Sequence, residues 1–396
     1  MNLKNTDNTK RHISERELES IQSWLEYTSW ELRVFIADIV PPDIEKREAM
    51  EDRMRELENL VTTFWWVVIL EHIQKRSLPD YNTYVWWGKL EEIMLEMQTQ
   101  NANLLILWNI LKPIQIYNIN EKLKTIGAKA WDRVDLILKI FEKNARSEET
   151  KLQIELAAIK HMGPRIFDMG MELGKQGGKG SGESNTEIMK RHLARRELEI
   201  RKDLEKYKRV REIHRQGRKK KGFATIGIVW YTNAGKSSFM NLMTHKGVLS
   251  EDKLFATLGT SVGKMWLPAK NTQEGIFTPW KEILFSDTIG FIRDLPPELV
   301  DAFASTLEDS IESDILFHVI DASDPKMQEK IEVVESILER IGAKQQRYYI
   351  YNKIDMLWKR YLSALKKSLK NRKDVFFIST YSWEGIEELK QKLYDF

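Results

Sequence analysis

The sequence predicts an α/β fold in three parts: a small N-terminal α/β domain, a long helical connection, and a C-terminal P-loop domain built on a mostly parallel sheet. Three observations carry that expectation. Apolar runs of strand length alternate with amphipathic helical patterns over residues 59–160 and again over residues 222–396. A glycine-rich segment and a charged stretch of helical character stand between those regions. Residues 225–239, TIGIVWYTNAGKSSF, read as buried strand, small-residue turn, Lys-Ser and helix, the layout of a phosphate-binding loop. The expected boundaries are a helical extension over residues 1–45, the N-terminal α/β domain over 46–160, the connection over 161–221 and the P-loop domain over 222–396.

A chain of 396 residues, 42% hydrophobic and 31% charged, fits a globular protein of two or three domains. The formal net charge is only +3, so local clustering of charge matters more than the total. There is no cysteine, which excludes disulfides and thiolate-ligated metals. The longest apolar runs, residues 64–70 and 104–108, are too short to span a bilayer, and the start MNLKNTDNTKRH lacks a signal-peptide core. A cytoplasmic protein is therefore expected.

In chain order, residues 14–40 carry a pattern that could be amphipathic, with Ile21, Leu25, Trp30 and Leu32 near one helical face, ended by Pro41-Pro42. IEKREAMEDRMRELENLV follows as a second helix with charges spaced for pairing between neighbouring turns. WWVVIL reads as a strand, WWGKLEEIMLEMQTQ as a helix, NLLILW as a strand and PIQIYNINEKLKTIG as a helix. AKAWDRVDLILKIFEKNA opens a long helical region. Lys89 and Arg133 stand as isolated charges with a structural reading. GMELGKQGGKGSGESNT has linker composition, and the basic stretch 187–221 after it reads either as a solvated helix or as a surface that meets a phosphate backbone. Lys190, Arg191, Arg195 and Arg196 are the candidate RNA contacts.

In the last part, EILFSDTIGF, DILFHVIDAS, RYYIYNKID and VFFIST read as strands, and the polar motifs fall just after strands. Ligands of open parallel sheets bind at the carboxyl ends of the strands. In the loop, Gly235 lets the backbone pass close to a phosphate, and the N–H groups of the turn and the following helix N-terminus converge on the anion. Lys236 can reach the terminal phosphates, and the Ser237 hydroxyl can ligate Mg²⁺. Asp287 and Gly290 match a DxxG element: the Asp sits near Mg²⁺, and the Gly N–H senses the terminal phosphate. Asn352-Lys353-x-Asp355 is a guanine reader, because one carboxylate can accept from both N1–H and N2–H₂ of guanine and adenine lacks that donor pair. This selects GTP over ATP.

Beyond single motifs, longer phrases carry a resemblance: GKLEEI, DRVDLILKIFEKNARSEETKLQIELA, GKQGGKGSGES, YTNAGKSS, LFATLGTS and DTIGFIRDLPPELVDAFASTLEDS. Over roughly residues 50–396 the chain resembles the HflX family of translational GTPases. The resemblance implies a C-terminal P-loop GTPase domain, a helical connection with a glycine-rich tip, and binding to the large ribosomal subunit and its rRNA, with ribosome splitting or rescue under stress. It implies Mg²⁺ with GTP or GDP as ligand, and Thr257 of LFATL as the switch threonine that ligates Mg²⁺ beside Ser237 and Asp287. The residues expected around GTP are Asn233, Ala234, Gly235, Lys236, Ser237, Ser238, Phe255, Thr257, Asp287, Gly290, Asn352, Lys353, Asp355, Ser379 and Thr380. No residue is assigned as catalytic, and a monomer is expected.

Phe291 follows the DxxG element where a water-orienting glutamine could stand, so intrinsic hydrolysis should be slow, as in the family, whose hydrolysis the ribosome stimulates. Against the family pattern, tryptophan replaces glycine at Trp230, Trp86 and Trp383, and Trp65 lies near another expected glycine. Gly259 stands for Asp and Thr380 for Ala. Trp230 falls at the first glycine of the phosphate loop, read as a tight, permissive backbone position. Three readings stay open: a ribosome-associated GTPase, a member of the same fold that docks on ribosomal RNA without cycling nucleotide, and a GTP-binding regulator outside translation.

Overall fold

The computed structural model describes residues 32–40, 44–64, 66–145, 147–176, 182–220, 222–232, 234–244, 261–271, 277–278, 280–287, 290–293, 299–300 and 312–396. A parallel sheet and a mostly parallel sheet are joined by a pair of long helices. The first has the order β2-β1-β3-β4, all parallel: β1 is Arg33–Val40, β2 Val67–Lys75, β3 Leu104–Leu107 and β4 Lys129–Asp132. Helices α1 (Ile44–Thr63), α2 (Trp87–Thr99), α3 (Pro113–Leu123) and α4 (Arg133–Asn144) make the crossovers and cap the end.

The inner strands β1 and β3 are buried on both faces, while the edge strand β2 is largely exposed. Val34 and Ile36 of β1 join the core under α1 and α4, whereas Phe35, Ala37 and Ile39 join the core under α2 and α3. Leu104 and Ile106 divide from Leu105 and Leu107 in the same way. Successive side chains of a strand point to opposite faces, so a strand covered by helices on both sides must be apolar throughout. The helical extension expected over residues 1–45 is corrected here: residues 33–40 are a central strand of the N-terminal sheet, and that sheet begins before residue 46. Residues 1–31 and Trp65 lie outside the described residues.

Residues 129–132 also depart from the expected helix. They form β4, and the helix starts only at Arg133, where the Asp132 side chain caps it by accepting from the N–H groups of Val134 and Asp135. Arg133 and Lys89 are not isolated either. Arg133 is buried against Glu56, and Lys89 Nζ lies 2.6 Å from Glu92.

The connection consists of α5 (Glu148–Gln176) and α6 (Gly182–Lys220), so most of the stretch read as a linker is helical, and residues 177–181 lie outside the described residues. The two helices are tied by charge pairs, Arg196 to Glu155 and Arg211 to Glu149. Midway along α5, Arg165 bridges Asp132 and Asp135, and His161 Nε2 lies 3.4 and 3.3 Å from the same carboxylates. Burial alone would lower the His161 pKa, but those two carboxylates outweigh it and hold it at about 9. With the guanidinium already seated between the carboxylates, the cluster is a closed ion-pair network rather than a cation site.

The second sheet runs β12-β11-β10-β5-β9-β6: β5 Ala224–Trp230, β6 Ser261–Leu267, β9 Lys281–Asp287, β10 Ile315–Asp321, β11 Gln346–Asn352 and β12 Val375–Phe377. All neighbours are parallel except β6, an antiparallel edge strand on β9 that the sequence reading missed. A two-strand hairpin of β7 (Lys270–Asn271) and β8 (Phe277–Thr278) lies after β6. Helices α7 (Lys236–Thr244), α8 (Met327–Arg340), α9 (Lys359–Ser368) and α10 (Ile386–Leu393) cover this sheet. β5 is central, with β9 on one side and β10 on the other, so the loop after β5 opens at the point where the strand order reverses.

Candidate nucleotide site

The strand TIGIVWY is buried and apolar up to Tyr231, and the chain then turns within four residues into α7. The Ala234 N–H donates to the Tyr231 carbonyl at 3.2 Å, and Gly235 takes φ +86°, a left-handed conformation that glycine adopts without strain. A Cβ on Gly235 would also lie 2.5 Å from Asn352 Nδ2. Lys236 opens α7 and is buried, and Ser237 and Ser238 follow in its first turn, half-buried. The helix N-terminus therefore faces the end of the loop, as anion binding requires.

The segments that carry the expected guanine-reading residues lie together. Asn352 ends β11, fully buried. Its Nδ2 donates to the Ala234 carbonyl at 3.1 Å, and its Oδ1 accepts from the Thr380 N–H at 3.2 Å. One side chain thus ties the phosphate loop to the segment after β12. Lys353 takes φ +62° to turn the chain, and its Nζ lies 2.7 Å from Asp321. Asp355 is exposed on the following 3-10 turn, where it accepts from the Ser379 hydroxyl. Buried Ser379 in turn accepts from the N–H groups of Tyr381 and Ser382 at 3.2 and 2.9 Å. The Asp355 carboxylate is held by a residue that is itself held.

On the other side of the loop, Gly290 lies beside β5. The Phe291 N–H donates to the Trp230 carbonyl at 2.9 Å, and the Thr232 N–H donates to the Phe291 carbonyl at 2.8 Å. Phe291 is buried in the core shared with Val229 and Leu316, so its ring offers nothing to a water molecule. Asp287 is the last residue of β9, beside β5. Mg²⁺ is a hard cation that takes oxygen donors, and a hydroxyl in the first turn of α7 with a carboxylate ending the adjacent strand suits it. Asn233, Phe255, Thr257 and Gly259 lie outside the described residues, as does the side chain of Asp287.

Trp230 corrects the sequence reading. Its backbone is ordinary strand and not among the positive-φ positions, so a special conformation is not what a glycine would supply there. The conflict is one of contact, because the indole turns inward over Lys236 and Gly290. Trp383 is the opposite case: it adopts φ +67° while its side chain is 60% exposed. Trp86 precedes α2 in extended conformation, with the Arg76 guanidinium 4.9 Å above its ring.

Two features were missed from sequence. The Tyr231 hydroxyl donates to Glu56 of α1 at 2.8 Å and accepts from the Arg293 N–H at 2.9 Å. Burial, then the Glu56 charge, raises the Tyr231 pKa, so the phenol stays a neutral donor. Ile292 and Leu299, just past the DxxG element, pack into the core of the N-terminal domain. The nucleotide loop and the N-terminal domain therefore share a seam, which appears in sequence only as unremarkable apolar and tyrosine positions. Of the four candidate RNA contacts on α6, Arg196 is taken up by Glu155, with N–O distances of 2.6 and 2.8 Å, and Arg195 lies 3.3 Å from Glu199. All four are exposed.

A phosphate loop at the switch point of a parallel sheet, joined to an Asn-Lys-x-Asp corner, defines a P-loop domain of the GTPase class. Family profiles match in series: GTP-binding GTPase N-terminal over residues 51–142, GTP-binding GTPase middle region over 144–218, and 50S ribosome-binding GTPase over 225–353. GTPase HflX of Alkalihalophilus pseudofirmus is 36% identical, the match covering 87% of this chain and 78% of that protein. GTPase HflX of Caldanaerobacter subterraneus is 44% identical over 61% of this chain, which spans about half of that relative, 55%. The crystal structure of SsGBP in complex with GDP is 27% identical, with a TM-score of 0.54, covering 92% of this chain and 98% of that one. The chain belongs to the HflX GTPase family. Among the described residues no helix is long and apolar enough to cross a membrane.

Proposed function

We propose that the chain binds guanine nucleotides in its C-terminal domain, hydrolyses GTP slowly by itself, and acts on the large ribosomal subunit, splitting or rescuing ribosomes in the cytoplasm. The observation that carries the nucleotide reading is the Asn352 clip: one buried side chain holds both the phosphate loop and the base-reading segment. Asp355, pinned by Ser379, accepts from guanine N1–H and N2–H₂, and adenine offers no such pair. The N–H groups from Ala234 into the first turn of α7 cradle the phosphates, and Lys236 supplies positive charge. Ser237, Asp287 and Thr257 would hold Mg²⁺, which neutralises charge on the phosphates when bound. Buried Phe291 cannot orient an attacking water, so fast turnover needs a partner.

The 50S ribosome-binding description of the matched profile supports the ribosomal reading, with the exposed basic face of α6 as the RNA-facing surface. A second reading, an RNA-docking member with impaired nucleotide cycling, is favoured by the position of Trp230 against Lys236. Titration with fluorescent GDP, GTP and ATP in Mg²⁺ tests the first reading: guanine nucleotides bind and ATP does not. ATP binding as tight as GTP overturns it. Co-sedimentation with large subunits tests the second part. Replacing Lys190, Arg191 and Arg195 by Glu should weaken that binding and flatten its salt dependence, and unchanged binding at all salt concentrations counts against the α6 surface.

A further inference from the structure

We propose that Trp230 sets the phosphate specificity of the site: its indole stands where a terminal phosphate belongs, so the chain as folded accepts a guanosine diphosphate and admits a triphosphate only when the ring is displaced. The inference rests on the guanine-nucleotide reading above.

The ring is 5% exposed and closes on two groups. The Lys236 ammonium lies 4.5 Å from the ring centre. Gly290 is so close that a Cβ there would lie 2.6 Å from Trp230 Nε1 and 3.1 Å from Cε2. A terminal phosphate in a loop of this kind requires the lysine and the glycine N–H together. Here one aromatic ring occupies the approach to both.

The obstruction is local. Gly235, where the loop passes the β-phosphate, is faced by Asn352 and Lys353 instead of the indole. It leads straight into the N-terminus of α7, the position that favours an anion. Gly290 cannot simply retreat, because Phe291 is bonded on both sides to β5 and the loop, through the Trp230 carbonyl and the Thr232 N–H. The ring must move for the triphosphate to enter. Movement takes a buried indole out of the core it shares with Ala234 and Phe239, and it replaces a cation–π contact with a charge-assisted one. The diphosphate meets the ring only at Lys236, whereas the triphosphate meets it at Gly290 as well.

The test is equilibrium titration of the full chain in Mg²⁺ with fluorescent GDP and a fluorescent non-hydrolysable GTP analogue, on wild type, Trp230→Gly and Trp230→Leu. Leucine keeps apolar bulk in the core if glycine destabilises the domain, and far-UV circular dichroism checks folding. Wild type should favour the diphosphate by on the order of tenfold or more. Both variants should bring the ratio to about one, chiefly by tightening triphosphate binding. Equal affinities in wild type, or variants that tighten both nucleotides equally, would overturn the proposal. If folded variants bind neither guanine nucleotide, the guanine-binding reading itself fails, and the proposal with it.

Discussion

In the base half of the nucleotide site every functional side chain is held by another: Asn352 by the Ala234 carbonyl and the Thr380 N–H, Asp355 by Ser379, and Ser379 by two N–H groups. In the phosphate half, Lys236 and Gly290 face a tryptophan ring. On the proposed reading the base half is preorganised for its ligand, whereas the phosphate half is organised around a side chain. Preorganised hydrogen-bonding groups need no rearrangement on binding, and a ring in the path must first be displaced. The difference teaches that motif completeness and site readiness are separate properties, because Lys236 and Gly290 match their motifs and still do not face open space.

The largest expected effect comes from the residue that belongs to both halves. Asn352→Ala leaves the Ala234 carbonyl and the Thr380 N–H without their partner, which costs about 1–3 kcal/mol for each buried group. Guanine nucleotide affinity should fall on the order of a hundredfold for GDP and GTP alike. A fluorescent-nucleotide titration that shows loss of only one of them would separate the halves more sharply than the structure does.

Ser379→Ala acts on the base half alone. It should weaken GDP by about tenfold while leaving the ratio of GTP to GDP unchanged. A shift in that ratio would mean that the halves are coupled through this corner.

The His161 network lies outside both halves and gives a control on stability. Its pKa rises from 6.5 to about 9 on folding. The stabilisation is therefore complete below about pH 6.5 and is lost as pH rises through about 9. Urea unfolding of the N-terminal domain should weaken by on the order of 1–3 kcal/mol between those limits. The His161→Gln variant should lose most of that dependence, and an equally steep profile in the variant would exclude His161 as its source.

The smallest effect is that of Trp383, read against Trp230. Trp383→Gly relieves a left-handed backbone and exposes no core, so it should stabilise the chain by about 0.5–1 kcal/mol in thermal melts. Trp230→Gly removes a buried ring and should destabilise it by about 3 kcal/mol or more. Equal effects of the two substitutions would contradict the distinction drawn between backbone and contact.

Much of this was legible in the sequence. The strands that carry the GTPase motifs are short apolar runs with a polar motif at the end of each, and β5, β9, β10, β11 and β12 all lie where that pattern puts them. β1 was not legible, because RVFIADIV is buried on both faces and lacks alternation, and the charged, helix-spaced residues before it extend a misleading pattern. β4 was hidden by its length, four residues that run directly into the Asp132 cap of α4. The missing loop glycine was legible as a departure. Its consequence was not, because that depends on where the ring points once Phe291 is bonded across to β5. The seam from Tyr231 to Glu56 joins residues 175 positions apart, and no local pattern marks it.

The central claim, that this fold reads guanine through a preformed corner, is tested most directly by Asp355→Asn in competition titrations of GDP, XDP and ADP against fluorescent GDP. The wild-type chain should bind GDP and exclude ADP and XDP. The variant should lose GDP and gain XDP, because an amide can donate to the extra carbonyl of xanthine where the carboxylate accepted from guanine. A wild type that binds ADP as tightly as GDP, or a variant whose preference does not move, would contradict the account.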